Sequence, residues 1–244
     1  MVAAVLLWQL AAELVTANSD APIPKLAGPV AVLGAVVDYL RTDFVADLIS
    51  SLAVFFAGWL VGAAAAAVSG LLLARITWLR QMFLPVVEAI RPVSSIAWIP
   101  LSIVWFGFGF PGKVFIVGLA VYLVVIVYAI AGASRIPAIL ERSATMLGMN
   151  PMQKMRHLVL PAMLSEVIIG LRVSLMSGWG TVIIAELVAA DSGMGNSLIL
   201  AQQSYDIPGV ISSMLCFGAV GFLLNGAFVL AQRKIIRWDL EVAG

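Results

Sequence analysis

The stretch VFIVGLAVYLVVIVYAIAGA, from Val114 to Ala133, holds twenty residues and no charge. A helix of that length rises about 30 Å at 1.5 Å per residue, the thickness of a bilayer's hydrocarbon core. Working outward, similar apolar runs occupy Leu48–Ala74, Met82–Phe106, Ala162–Ala190 and Val210–Ala231. A further run, Met1–Ala17, is shorter and carries Glu13. The composition agrees, with 62% hydrophobic and 11% charged residues, against roughly 45–50% and 25% in soluble domains. Mean hydropathy is +1.07. Such a chain cannot cover its surface with polar groups, so its solvent is lipid. The sequence predicts an all-α membrane protein of about six transmembrane helices, with the lipid bilayer as its first partner. Spans and short connections use up the length and leave no room for a soluble catalytic domain.

Several other functions are excluded early. A net charge of +1 gives no reason to expect nucleic acid as a partner. The single Cys216 cannot form an internal disulfide and reads as a small buried hydrophobe. His157 is the sole histidine, which excludes a multi-histidine metal site and a Ser/His/Asp triad. Gly107 to Lys113 nearly spells a phosphate-binding loop, but Val114 stands where a magnesium-binding Ser or Thr belongs. Lys113 is expected to anchor the outer end of its span. Asp191-Ser-Gly-Met-Gly195 reads as a flexible outer turn, and Pro22, Pro24 and Pro29 mark an extended outer loop. Pro92 and Pro100 predict a kinked or broken third span. Gly58 and Gly62, followed by Ala63–Ala67, predict close helix packing. Trp78, Trp98, Trp105 and Trp238 fall near span ends or breaks, as interfacial anchors do. Met1–Leu10 has no basic residue before it, so it does not read as a cleavable signal; the two alternatives are a short first span and the start of one whose upstream flank is missing.

Loop charges orient the chain. With a cytoplasmic N-terminus, the inner segments hold Arg75, Arg80, Arg135, Arg142, Lys154, Arg156, Arg233, Lys234 and Arg237. The outer segments hold only Lys25, Arg41 and Lys113 as basic residues, beside Asp20, Asp38, Asp43, Asp47, Asp191 and Asp206. Lysine and arginine concentrate on the cytoplasmic side of membrane proteins, so the C-terminus is expected to be cytoplasmic.

The connection from Arg135 to Pro161 is far longer than two neighbouring spans need. Pro137 suits the first turn of a helix. Ile139, Leu140, Ala144 and Leu147 repeat at helical spacing, and Gly148 can end that helix. Asn150-Pro151 restarts a second short helix on which Met152, Met155, Leu158 and Val159 share a face, and Pro161 precedes the next span. The segment reads as two short amphipathic helices with a turn at the membrane surface. Spacing alone leaves a partner-docking surface and a passive interfacial pair equally open.

At this point the chain resembles a known family. Ser143-Ala144-Thr-Met-Leu-Gly148, nine further residues, then Leu158-Val-Leu160-Pro161 is similar to the EAA loop of ABC importer permeases. Family members carry a glutamate where this chain has Arg142, with Glu141 just before it. Glu88 to Gly109, Gly170-Leu-Arg-Val, Ala185-Glu-Leu-Val, Ser192-Gly-Met-Gly195 and Arg233–Trp238 resemble the nitrate/sulfonate/taurine/bicarbonate branch. The resemblance covers roughly residues 45–240. It implies a MetI-like type I permease and a bacterial inner-membrane location. It further implies a second permease protomer in a homodimer, two ABC ATPase subunits and an external solute-binding protein. On this resemblance Glu141, Arg142, Ser143, Ala144, Gly148, Leu158, Leu160 and Pro161 couple to the ATPase. ATP and magnesium then belong to that partner, and this chain carries no cofactor and is not an enzyme. The implied organisation is a short helix and outer loop over 1–47, a permease domain over 48–232 with its coupling segment at 135–161, and a cytoplasmic tail over 233–244. The solute implied is a small anion, such as a sulfonate, nitrate or other small organic acid.

Two charges inside the fifth long run remain. Arg172 and Glu186 are candidates for the substrate path. An ionisable group at mid-bilayer costs at least about 2.5–3.5 kcal/mol and therefore faces protein or water. Fourteen residues separate them, about 21 Å along a straight helix, so they cannot pair on one helix. Arg172 can grip an anion with its planar fork or pair with a carboxylate such as Glu88 or a second protomer's Glu186. Glu186 has a gating or structural role as the alternative, and Glu88 and Arg91 are spaced to pair locally. Two rival readings are an ion-coupled secondary transporter, with Glu186 as its ion site, and a non-transporting membrane scaffold. The first would commonly show inverted repeats, and none is visible.

Overall fold

The computed structural model describes residues 2–17, 27–134, 136–188 and 192–235, and every regular element among them is helical. In chain order these are α1 (Val2–Ala17), α2 (Pro29–Arg41), α3 (Phe44–Arg75), α4 (Thr77–Ile90), α5 (Ile99–Phe106) and α6 (Phe110–Ser134). There follow α7 (Ala138–Met146), α8 (Pro151–Lys154), α9 (Leu160–Val188), α10 (Met194–Gln203) and α11 (Ile207–Ile235). Among the described residues, four helices are long and apolar enough to span a membrane: Phe44–Leu73, Phe110–Gly132, Pro151–Leu187 and Ile207–Gln232. The helices Trp78–Ile90 and Ser95–Phe106 are long and apolar enough only when taken together, and they are bent by 102° at their break, as in a broken span or a re-entrant loop. The first run is helical, but α1 has 16 residues, short of the ~20 of a full span.

The prolines act differently from one another. Pro92 stops α4, because it cannot donate the next ladder bond. The Val93 amide instead closes a turn on Ile90 O at 2.9 Å. Pro100, expected to add a second break, lies in the first turn of α5, where a missing N–H removes no helical bond. Pro29 likewise opens α2. Residues 29–41 are thus a helix packed on α11, not part of an extended loop. Pro22, Pro24, Lys25 and Asp20 lie outside the described residues, as do Arg135, Asp191, Arg237 and Trp238.

The core centres on α6. α6 lies between α3 and α9, with Val117, Val121, Val125, Ile126 and Ala129 fully buried. The expected close approach occurs there. A methyl group on Gly62 would land on the Gly118 carbonyl, and one on Gly118 would come within 3.3 Å of Gly58 O. On the other flank, a methyl on Gly170 would lie 2.8 Å from Tyr128 Cβ. Small residues bring backbones together where lipid gives no hydrophobic drive for association. Two indoles find partners: Trp59 Nε1 donates to Ser174 Oγ at 3.1 Å, and Trp179 Nε1 to Phe217 O at 3.1 Å; the buried Trp98 Nε1 has none among the described residues. Trp179 also stacks on Phe217 at 4.3 Å. Trp78 and Trp105 are exposed near the ends of the broken pair, as anchors would be.

The bundle has two unlike ends. At one end α3 and α11 begin and α9 finishes, and bonds from α3 to residues 193–197 tie that end together. At the other, α6 finishes, α9 begins, and α7 and α8 form the connection. α6 has 25 residues, so the two ends stand about 37 Å apart.

Candidate docking turn and polar sites in the spans

Pro137 caps α7, as its position suggests, and Gly148 ends it with φ +72°. Only glycine takes that left-handed conformation without strain. The Gly148 amide donates to Thr145 O at 3.0 Å and the Met149 amide to Ala144 O at 3.0 Å. Together these bonds make a Schellman closure. α8 then starts with a capping box. Gln153 N donates to Asn150 Oδ1 at 2.9 Å, and Asn150 N donates to Gln153 Oε1 at 2.9 Å. Lys154 Nζ crosses back to Thr145 Oγ1 at 2.7 Å and joins the two helices. The turn is therefore built to hold one shape.

That shape displays an apolar tip. Met146 is 87% exposed, Leu147 77% and Met152 74%, with Ile139 and Leu140 exposed beside them. Ala144 is buried beneath. Of the predicted coupling residues, Arg142, Ser143 and Gly148 lie exposed on or beside this tip. Glu141 belongs to α7, and its side chain lies outside the described part. Leu158, Leu160 and Pro161 are not at the tip.

A short helix from Asn150-Pro151 was expected, with Pro161 preceding the next span; instead the two run together. Pro151–Leu187 is one continuous helix. Residues Met155–Val159 form a π turn that closes with Leu160 N–H on Met155 O. Pro161 has no N–H for the carbonyl of His157, and its ring would crowd that carbonyl in a regular helix. The wider π turn accommodates the ring without breaking the rod. α8 and α9 are thus one rod, with a π turn where they join.

At the opposite end, Glu186 is fully buried. Its Oε1 accepts from Ser51 Oγ at 2.7 Å and its Oε2 from the Gly195 amide at 2.8 Å. Ser51 Oγ also accepts from the Met194 amide at 2.9 Å. Asp47 is buried one turn earlier on α3. It accepts from the Gly193 amide at 3.3 Å, from Tyr39 OH at 3.0 Å and from Ser197 Oγ. Lys113 lies at the start of its span, as expected, and is buried there. Gly193 to Gly195 are also buried, so this part of the expected flexible turn is pinned to two helices. A carboxylate at this depth is supported when hydroxyl and amide donors satisfy its oxygens. Sequence reasoning found Glu186 but not Asp47 or Ser51. The one available signal was their spacing of four on α3, which puts both on the face toward α9.

Arg172 is isolated from this cluster. It is exposed near the middle of α9 and has no hydrogen bond or ion pair among the described residues. Ile169, Val173 and Met176 are 42–47% exposed on the same stripe. Glu88 and Arg91 are exposed and form no ion pair with each other, contrary to their spacing. The segment from Gly107 to Lys113 joins helix α5 to helix α6, whereas a phosphate-binding loop follows a strand.

Comparison with known proteins agrees with this architecture. The family model described as "Binding-protein-dependent transport system inner membrane component" matches residues 58–237. A "probable ABC transporter permease protein" of Brucella abortus (strain 2308) is 32% identical over 227 residues, 93% of this chain and 90% of its own. The taurine transport system permease protein TauC of Escherichia coli K12 is 33% identical over 158 residues, covering 65% of this chain and 58% of that one. Among solved structures, a chain of the MetNI methionine ABC transporter in inward-facing conformations superposes with a TM-score of 0.69 at 18% identity. That match covers 78% of this chain and 95% of the other, and it supports the fold.

Proposed function

The chain belongs to the binding-protein-dependent transport system inner membrane component family, and from that premise we propose how its parts divide the work of import. It is the non-enzymatic permease subunit of an ABC importer. Membership sets aside the ion-coupled transporter and the passive scaffold. An ATPase and an external binding protein are the partners that this family requires.

The turn from Ala138 to Lys154 is the surface that the ATPase grips, and it faces the cytosol with the C-terminus. The observation that carries this reading is the bare tip at Met146, Leu147 and Met152 on a turn locked by two caps and a cross-link. A passive interfacial helix has no need of such rigidity, whereas a lever does. Movement at the tip passes straight into α9, because no break separates them. ATP and magnesium are bound by the partner and act on this chain only through that contact. The two end states are discrete packings of one bundle, with populations biased by nucleotide.

The solute is a small organic anion, and a sulfonate is the first to test. TauC and the putative aliphatic sulfonates permease SsuC of Bacillus subtilis, 30% identical over 188 residues, support that class. Arg172 supports it independently. An unpaired guanidinium on a bare mid-span stripe requires water or protein to cover it, and a fork of donors suits sulfonate or carboxylate oxygens. A second copy of the chain facing this stripe would enclose a path with an arginine on each side.

The test is uptake into proteoliposomes holding the permease, its ATPase and its binding protein, with radiolabelled taurine and an alkanesulfonate. The expected result is ATP-dependent accumulation that falls at least about tenfold in Arg172→Ala, the loss of one charge-assisted contact. Uptake without ATPase or ATP would overturn the import reading. Equal uptake by Arg172→Ala would remove Arg172 from the path.

A further inference from the structure

We propose that an acidic recess between α2, α10 and α11 seats a cationic side chain of the external solute-binding protein. The proposal rests on the preceding reading that the docking turn faces the cytosol. The recess has a volume of about 610 Å³. Three helix faces make it. Small residues such as Gly34 line its sides, Asp38, Asp43 and Asp206 supply carboxylates, and Ser213 contributes a hydroxyl.

The carboxylates lack counter-charge. Among the described residues, no Lys, Arg or His lines the recess. The Asp38 and Asp43 carboxylates have no hydrogen-bond partner among the described residues, and Asp206 accepts one bond, from the Gly209 amide at 3.1 Å. Behind the wall, Asp47 adds a fourth negative charge, already engaged with Tyr39 and Ser197. Ser213 supplies an independent sign of a missing ligand. It is only 4% exposed, it lines the recess, and its hydroxyl has no partner among the described residues. Open to the recess, that hydroxyl is available to a polar group seated there.

The occupant follows by elimination. Among the described residues no three acidic, histidine or cysteine groups converge closely enough to hold one metal ion. Carboxylates spread around a wide mouth suit a larger cation on a flexible stem. The transported solute, as an anion, would be repelled. The recess lies at the end where α3 and α11 begin, opposite the docking turn. That is the end from which a binding protein delivers its cargo. Charge complementarity of this kind speeds encounter and fixes register. A lysine or arginine on the binding protein has the reach and the charge to sit among these carboxylates and meet Ser213.

The test uses the full-length permease in nanodiscs, with and without its ATPase, and titrates the binding protein of the same transport system. Wild type is expected to bind with affinity that falls as salt rises. Asp38→Asn, Asp43→Asn and Asp206→Asn combined should weaken binding on the order of tenfold and flatten the salt dependence, leaving ATPase co-purification and basal ATP hydrolysis unchanged. Asp43→Lys alone should weaken it further, and a Lys→Glu or Arg→Glu change on the binding protein should restore it. Unchanged affinity and salt dependence in the triple variant would overturn the proposal. So would loss of binding that no charge exchange rescues, or a second copy of the chain found to fill the recess by cross-linking. Failure of wild type to join the ATPase would instead refute the docking-turn reading, since binding-protein affinity is measured without ATPase as well.

Discussion

Glu186 shows what a single buried carboxylate does in this bundle. Its two oxygens take donors from α3 and from the start of α10, so one side chain joins three segments. Glu186→Ala would leave Ser51 and the Gly195 amide without an acceptor, at roughly 1–3 kcal/mol for each buried group left unpaired. The expected outcome is a clearly lower unfolding midpoint in detergent, followed by tryptophan fluorescence. Glu186→Gln keeps one acceptor and should lose less. An unchanged midpoint in Glu186→Ala would remove Glu186 from this role. Gly148 is a second residue with a defined task. Gly148→Val would force a β-branched residue to φ +72°, at about 1–2 kcal/mol of local strain. The fold should survive, because the turn lies outside the core, while the affinity for the ATPase falls about five- to thirtyfold. Both residues were visible in the sequence, Gly148 by its place after an apolar helical repeat and Glu186 as a charge in an apolar run. Their partners were not. Gly195 and Ser51 stand 9 and 135 residues from Glu186, and only the packing of α9 on α3 brings Ser51 near.

Among the elements, the long spans were legible because an apolar stretch of about 20 residues has few other uses. The short pieces were less so. A proline at a helix's first turn and a proline that ends a helix look alike in sequence. That ambiguity hid α2 behind Pro29 and the continuity of α8 with α9 at Pro161. In the α7–α8 turn the local chemistry was legible: Pro137, Gly148 and Asn150-Pro151 each do what their residue types favour. The capping box at Asn150 gives an element-scale prediction. Asn150→Ala removes an acceptor from α8's first turn and should cost about 1 kcal/mol locally. Hydrogen exchange of residues 150–155 should quicken while α6 and α9 keep their protection. Unchanged exchange at α8 would mean that the turn is held by other contacts.

For the molecule as a whole, the arrangement is a rod with a different device at each end. One end carries a rigid turn with an apolar tip, and the other a pinned cluster beside an acidic recess. α6 and α9 connect them without a break. The basic turn and the acidic recess fall at opposite ends of the bundle, the arrangement that a cytosolic turn and an outer recess require. Homodimerisation is proposed from Arg172 and the bare stripe around it, because a lone charge facing lipid would be costly. The central claim is that an ATPase grips the tip at Met146 and Leu147. Its most direct measurement is co-purification of the permease with its ATPase, comparing wild type with Met146→Asp and Leu147→Asp. Both positions are more than three-quarters exposed, so neither change should disturb folding. The account predicts monodisperse variants that no longer retain the ATPase. Variants that hold the ATPase as tightly as wild type would contradict it.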